Sequence, residues 1–258
     1  MSDYNLWIEV DLRALKRNVS RIRSHVAPSV GTMAIVKANA YGHGMIEVAH
    51  ALCDMVSYFG VSTFQEGERL REAGIMIPTL VLGSIMPYEF EAAIHHDLTL
   101  AVSDAEYAAA LHEAAARQDK EVKIHFQVDT GMGRWGFVYP EAFQEIRKTV
   151  SLSHVNPEGV FTHFPVADNK DFDYTDRQIE LFKALVDELD RVDISFPYVH
   201  AANSAGIVNF PDGHFSLVRP GITMYGYCPH ERMRGDIEVD YVLSLKSKIC
   251  LIKEFRPN

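Results

Sequence analysis

VKANAYGHG, residues 36–44, closes the apolar stretch TMAIV (32–36) with a lysine and then turns at once into a small polar loop holding two glycines. A reactive side chain at the C-terminal end of a buried strand is how barrels and open α/β sheets present their chemistry. Lys37 there can form a Schiff base with an aldehyde, and Tyr41 and the glycines can approach a phosphate. The fold class follows from what repeats on either side of this run.

Upstream, WIEVD (7–11) alternates large and polar residues and reads as a short strand. Asp11 then caps a helix whose apolar positions are Leu12, Leu15, Val19, Ile22 and Val26, ended by Pro28 and Gly31. Downstream, strands and helices alternate. YFGVS (58–62), TLVLGS (79–84), LTLAVS (98–103), VKIHFQV (122–128), GVFTH (159–163), YVHAAN (198–203) and SLVR (216–219) read as strands. Between them lie helical patterns with punctuation: Gly74 stops one, Asp104 caps another, and Pro87 and Pro140 open two more. About eight βα units follow the first, detached strand, which is the tally of a (β/α)8 TIM-type barrel. A doubly wound sheet would need about six parallel strands and a phosphate fingerprint near its first turn, so the barrel is favoured.

Past Tyr225 the rhythm breaks. PHERMRGD (229–236) is polar and turn-rich, and DYVLSLKSKICLIKEF (240–255) alternates as antiparallel strands do. The expected division is a barrel over residues 1–235, its strand 6–11 pairing with the β domain, and the first strands of that otherwise absent all-β domain over 236–258. The competing reading is a terminal hairpin packed on the barrel.

The acidic balance, 35 Asp+Glu against 25 Lys+Arg for a net charge of −10, argues against nucleic-acid and anionic-membrane surfaces. Cys53, Cys228 and Cys250 are odd in number, far apart and without a CxxC, so they read as reduced thiols of a cytoplasmic protein. No signal-peptide pattern opens the sequence, and no apolar run is long enough to span a bilayer. His95, His96 and His112 show no metal spacing, and no metal is expected.

The unusual residues fall at strand ends. Lys37 follows strand one, VDTGMGRWG (128–136) strand five, THFPVAD (162–168) strand six, HAANSAG (200–206) strand seven and VRPGI (218–222) strand eight. A lysine partly desolvated there has a lowered pKa and a nucleophilic amine, although a lone lysine more often snorkels to the rim. Asn203 and Ser204 start a short helix whose N–H groups attract an anion; plain capping explains them equally well. Gly221 lets the backbone approach a ligand, and Pro220 fixes its direction. Arg219 is either a ligand partner or a structural salt bridge. Arg134, between Gly131, Gly133 and Gly136, can grip a carboxylate, and His163 competes with the ordinary fate of a core histidine. Singly these signals are weak; on one barrel face they reinforce each other.

VKANAYGHG, VDTGMGRWGF, THFPVAD, HAANSAG and VRPGITMYG resemble, in order and rough spacing, the motifs of the fold-type III alanine racemases, and WIEVDLRALKRN resembles that family's start. The resemblance covers essentially the whole chain. It implies a (β/α)8 domain that binds pyridoxal 5'-phosphate (PLP), a following β domain and a homodimer that interconverts L- and D-alanine for peptidoglycan. It also implies roles. Lys37 matches the cofactor-linking lysine, which serves as the base on one face of Cα. Tyr41, Ser204, Gly221 and Ile222 match phosphate-binding positions, with Asn203 beside them. Arg219 matches the partner of the pyridine nitrogen, His163 a histidine near the ring, and Arg134 an arginine near the substrate carboxylate.

Two departures from the family pattern stand out. Gln127 occupies the place of a lysine that many members carbamylate to neutralise the arginine, so a bound anion or a neighbouring carboxylate is expected to substitute at Arg134. The opposite-face tyrosine belongs to the β domain, so the isolated chain is expected to racemise poorly. Three rival readings remain. One is a non-catalytic single-barrel PLP carrier, and another is a fold-type III decarboxylase or D-amino-acid aldolase. The third is a racemase for serine or another amino acid.

Overall fold

The computed structural model describes residues 4–169, 171–229 and 237–255. Its elements run β1 (Leu6–Val10), α1 (Leu12–His25), β2 (Gly31–Ile35), α2 (Lys37–Tyr41), α3 (Met45–Leu52), β3 (Tyr58–Val61), α4 (Phe64–Glu72), β4 (Thr79–Val81), α5 (Phe90–His95), β5 (Thr99–Val102) and α6 (Ala105–Arg117). They continue through β6 (Val122–Asp129), β7 (Phe137–Val138), α7 (Ala142–Thr149), β8 (Val155–Phe161), α8 (Asp173–Asp190), β9 (Tyr198–His200), α9 (Ser204–Asn209), β10 (Leu217–Val218) and β11 (Leu243–Ser247).

The expected barrel is present. Parallel strands are ordered β10-β2-β3-β4-β5-β6-β8-β9, with the two-residue β7 beside β6. The seam between the outermost strands is drawn together where Ser216 N donates to Val199 O at 3.0 Å and Arg219 N to Ala202 O at 2.9 Å. Alternation along the strands explains why they read as continuous apolar runs. Met33, Ile35, Tyr58, Leu80, Ala101, Phe161 and Leu217 form a cluster of their own, while Ala34, Val36, Phe59, Val61, Val81 and Val102 belong to the larger core that includes the helices. Sheets covered on both faces need apolar residues at every position.

Helix α1 shows how the sequence sets the ring of helices. Asp11 accepts from Arg13 N at 2.8 Å and Ala14 N at 3.0 Å, a cap worth about 1 kcal/mol. Leu15, Val19 and Ile22 then fall on one face and are fully buried, each contributing roughly 1.5–3 kcal/mol. Two expected helices begin later than their prolines: Pro87–Glu89 is a 3-10 turn before α5, and α7 starts at Ala142.

Strand β1 stands outside the barrel and pairs antiparallel with β11, Ile8 opposite Leu245. This ribbon is tied to α1 by Asn18, whose buried side chain donates to Met224 O (3.1 Å) and Asp240 O (2.7 Å) and accepts from Asp240 N (2.8 Å). The alternation predicted across 240–255 forms a strand only over Leu243–Ser247. Leu6, Ile8 and Leu245 are exposed on the ribbon. The boundary expected at 235/236, with most of PHERMRGD, lies outside the described residues. No described helix is long and apolar enough to cross a membrane.

Candidate active site

All nine residues singled out in the sequence line one cavity of about 570 Å³ at the C-terminal ends of the barrel strands: Lys37, Tyr41, Arg134, His163, Asn203, Ser204, Arg219, Gly221 and Ile222. Gln127, Met132, Trp135, Asp168 and Ser62 line it too.

Lys37 opens a turn that the sequence disguises. Ala38, Asn39, Ala40 and Tyr41 have φ of 53–54°, a single left-handed turn built without glycine. Such a conformation costs roughly 1–2 kcal/mol per residue, so neighbouring bonds must hold it. Ala40 N donates to Val36 O at 2.8 Å, and Met45 N donates to Asn39 Oδ1 at 3.0 Å. The buried His43 places Nδ1 3.0 Å from Ala40 O and 3.2 Å from Tyr41 O, so that nitrogen carries the proton and donates. Its ring stacks on Tyr225, whose hydroxyl donates to Ile35 O at 3.0 Å. The Lys37 amine therefore leaves a locked backbone. Burial first, then Arg134 and Arg219, push its pKa down, with Glu66 opposing.

The opposite wall is built on Arg219, 3% exposed. Among the described residues it forms no salt bridge, the alternative the sequence left open. Its Nη1 donates to His200 Nδ1 at 2.8 Å, and Nη2 faces Thr162 O (2.9 Å), Ala201 O (3.0 Å) and His163 Nδ1 (3.1 Å). Arginine only donates, so both histidines carry their proton on Nε2. His200 Nε2 then donates to His125 Nδ1 at 2.8 Å. The chain of donors ends at His125, whose buried Nε2 has no partner among the described residues, and the ring fits only because position 159 is glycine: a Cβ there would meet it at 2.7 Å. Burial, then Arg219, hold His125 neutral with a pKa of about 3 and push His200 well below its usual value. Burial, then Arg219, Arg134 and Lys37, do the same for His163, at about 3. Arg219 itself is pushed down to about 9 by burial and Arg134, which leaves it charged at neutral pH.

Between the two cations lies a small polar cup. Ser204 Oγ accepts from Gly221 N (2.9 Å) and Thr223 N (3.3 Å). The Tyr41 hydroxyl sits against Gly221, where a Cβ would approach it to 2.9 Å. Asn203 caps α9, accepting from Gly206 N (3.0 Å) and donating to Phe164 O (2.9 Å), so its side chain is occupied structurally and its competing reading as a plain cap is the one observed. Arg134 lies over the Trp135 ring at 5.2 Å and makes no salt bridge among the described residues.

Sequence reasoning missed His200, His125 and Trp135. The signal for the histidines was available: each lies between two apolar neighbours on a barrel strand, with a glycine across from one of them. His95, His96 and His112 lie away from the cavity, and no group of three or more potential metal ligands occurs among the described residues.

The family model described as "Alanine racemase, N-terminal domain" matches residues 10–229. Alanine racemase 1 of Oceanobacillus iheyensis is 38% identical over 254 residues, 98% of this chain and 68% of that protein. The alanine racemase of Halothermothrix orenii is 38% identical over 252 residues, 97% of this chain and 66% of its own length. Among solved structures, alanine racemase of Clostridium difficile 630 in complex with cycloserine superposes with a TM-score of 0.94 at 34% identity, covering 98% of this chain and 71% of that one. The Bacillus anthracis enzyme with bound L-Ala-P gives 0.87 at 33% identity, over 95% and 64%. The chain thus spans about two thirds of the length of the relatives it matches.

Proposed function

The chain belongs to the family of the alanine racemase N-terminal domain, and from that premise we propose that it binds PLP through Lys37 and serves the interconversion of L- and D-alanine. The observation that carries this reading is the pairing of a half-buried amine of lowered pKa with a fixed cation across one cavity. The residues fit the cofactor. The N–H groups of Gly221 and Thr223, now turned on a serine hydroxyl, and the Tyr41 hydroxyl over a glycine make a cradle for a phosphate. Arg219 supplies a donor that stays protonated where a ring nitrogen would lie.

PLP, when bound, withdraws electrons from Cα of the amino acid and makes its hydrogen acidic. Lys37 takes up and returns that proton on one face. A neutral amine is needed for this, and burial together with two guanidinium groups favours it. Arg219 keeps its own proton because His200, His163 and two carbonyl oxygens hold the guanidinium, which disfavours full protonation of a nitrogen facing it. Arg134 orients the substrate carboxylate, and with Gln127 beside it in the cavity lining, a bound anion such as chloride balances its charge.

Inversion requires a second acid/base on the other face. In the cavity, burial and then Arg219 hold His163 neutral, and Tyr41, its pKa raised by burial, faces the cup, while the Asp168 carboxylate lines the wall. Following the family resemblance, we place the second group on the β domain of a partner subunit in a homodimer. Cytoplasmic supply of D-alanine for peptidoglycan is the matching biological setting. In D2O, the isolated chain with PLP should exchange the α-hydrogen of D-alanine faster than it inverts it. Inversion of both enantiomers at full enzyme rates would overturn the one-base reading.

A further inference from the structure

Glu66 carries more hydrogen bonds to the cavity wall than its place in the sequence explains. It is the third residue of α4, where Thr63 and Glu66 form a capping box: Thr63 Oγ1 accepts from Glu66 N at 3.3 Å, and Glu66 Oε2 accepts from Thr63 N at 3.3 Å. That motif uses one carboxylate oxygen. Oε2 also accepts from Ser62 N at 2.7 Å, and the other oxygen, Oε1, reaches across to the backbone N–H of Ala38 at 2.6 Å. Ala38 is the residue after Lys37 and the first of the left-handed turn.

The carboxylate thus joins the ends of two neighbouring strands, β2 and β3, at the point where β2 delivers its amine. Charge-assisted bonds of this length are the strong kind, and the turn they restrain is one that alanine does not adopt unaided. The charge matters as well as the contact. The groups acting on Lys37 are the guanidinium groups of Arg134 and Arg219 and the carboxylate of Glu66; His163 nearby is neutral.

We propose that Glu66 is a positioning residue for Lys37, its carboxylate tying the left-handed turn to the start of α4 and setting one negative charge against the two guanidinium groups around the amine. The inference rests on the reading of Lys37 as the reactive lysine, but its first test needs no cofactor.

In the ligand-free full chain, the pH dependence of Lys37 acylation by acetic anhydride, followed by peptide mass mapping, gives the midpoint at which the amine loses its proton. Glu66→Gln should move that midpoint down. Glu66→Asp keeps the charge and should leave it near the native value, and so should Thr63→Ala, which breaks only the capping box. Asp cannot span both Ala38 and Ser62, so PLP retention in Glu66→Asp should weaken about tenfold. An unchanged or raised midpoint in Glu66→Gln, or an equal shift in Thr63→Ala, reduces Glu66 to a helix cap. If native protein takes up no PLP, the cofactor reading fails while the midpoint comparison still decides the role of Glu66.

Discussion

Arg219 and Lys37 are two cations at the mouth of one barrel, and the structure treats them in opposite ways. Arg219 is buried, and its guanidinium is met by two histidines and two carbonyl oxygens, the first of which histidines donates on to a third. Lys37 has its backbone restrained on all sides, while among the described residues no hydrogen bond is made to its amine. The group whose charge is fixed is surrounded at its charged end; the group we propose to react is held only from behind. That division of labour ties the pocket to preorganisation rather than to flexibility.

The largest expected effect breaks the comparison at its free end. Lys37→Ala should abolish the adduct formed by borohydride reduction in the presence of PLP while leaving the thermal midpoint close to native. Residual adduct at native yield would remove the lysine from the reaction.

Acid attacks the fixed end. An unfolded histidine takes up its proton near pH 6.5, whereas folded His125 and His163 do so only near 3 and His200 is lowered in the same direction. The unfolded state then binds more protons as pH falls, so stability should be level above about 6.5 and decline from there toward 3. Between pH 7 and 5 His125 and His163 should each cost about 2 kcal/mol, with His200 adding in the same direction, and urea titrations at the two pH values would measure the sum. Equal stability at both would mean the histidines are not held neutral.

Gly159→Ala sharpens the same point without changing a charge. The new Cβ would press on the His125 ring, and overpacking of this kind costs roughly 1–3 kcal/mol. A perturbed spectrum of bound PLP should accompany the loss, because His125 leads through His200 to Arg219. Destabilisation with an unaltered spectrum would separate the interior histidines from the pocket. The smallest effect belongs to the exposed ribbon: Ile8→Ser or Leu245→Ser should change the stability of this chain by less than about 0.5 kcal/mol.

Much of this was legible from residues with a single structural meaning. Asp11 and Asp104 cap the helices they precede, the apolar strands close a barrel, and Lys37 follows its strand. The turn after Lys37 was not legible, because Ala-Asn-Ala-Tyr holds no glycine and its left-handed form is held by local bonds of Asn39 and His43 together with Glu66 from a neighbouring strand end. The Arg219 network was half legible: Arg219, His163 and His200 sit in motifs, but the roles of His200 and His125 emerge only when three strands converge. Asn203 shows the reverse case, a motif residue whose side chain is spent on capping.

The central claim is that Lys37 is the group that holds PLP. Reconstituting the purified chain with PLP, reducing with borohydride and mapping the peptides tests it directly. The pyridoxyl label should fall on the peptide containing Lys37 and disappear in Lys37→Ala. Label on another lysine, or none on a folded chain, would contradict it.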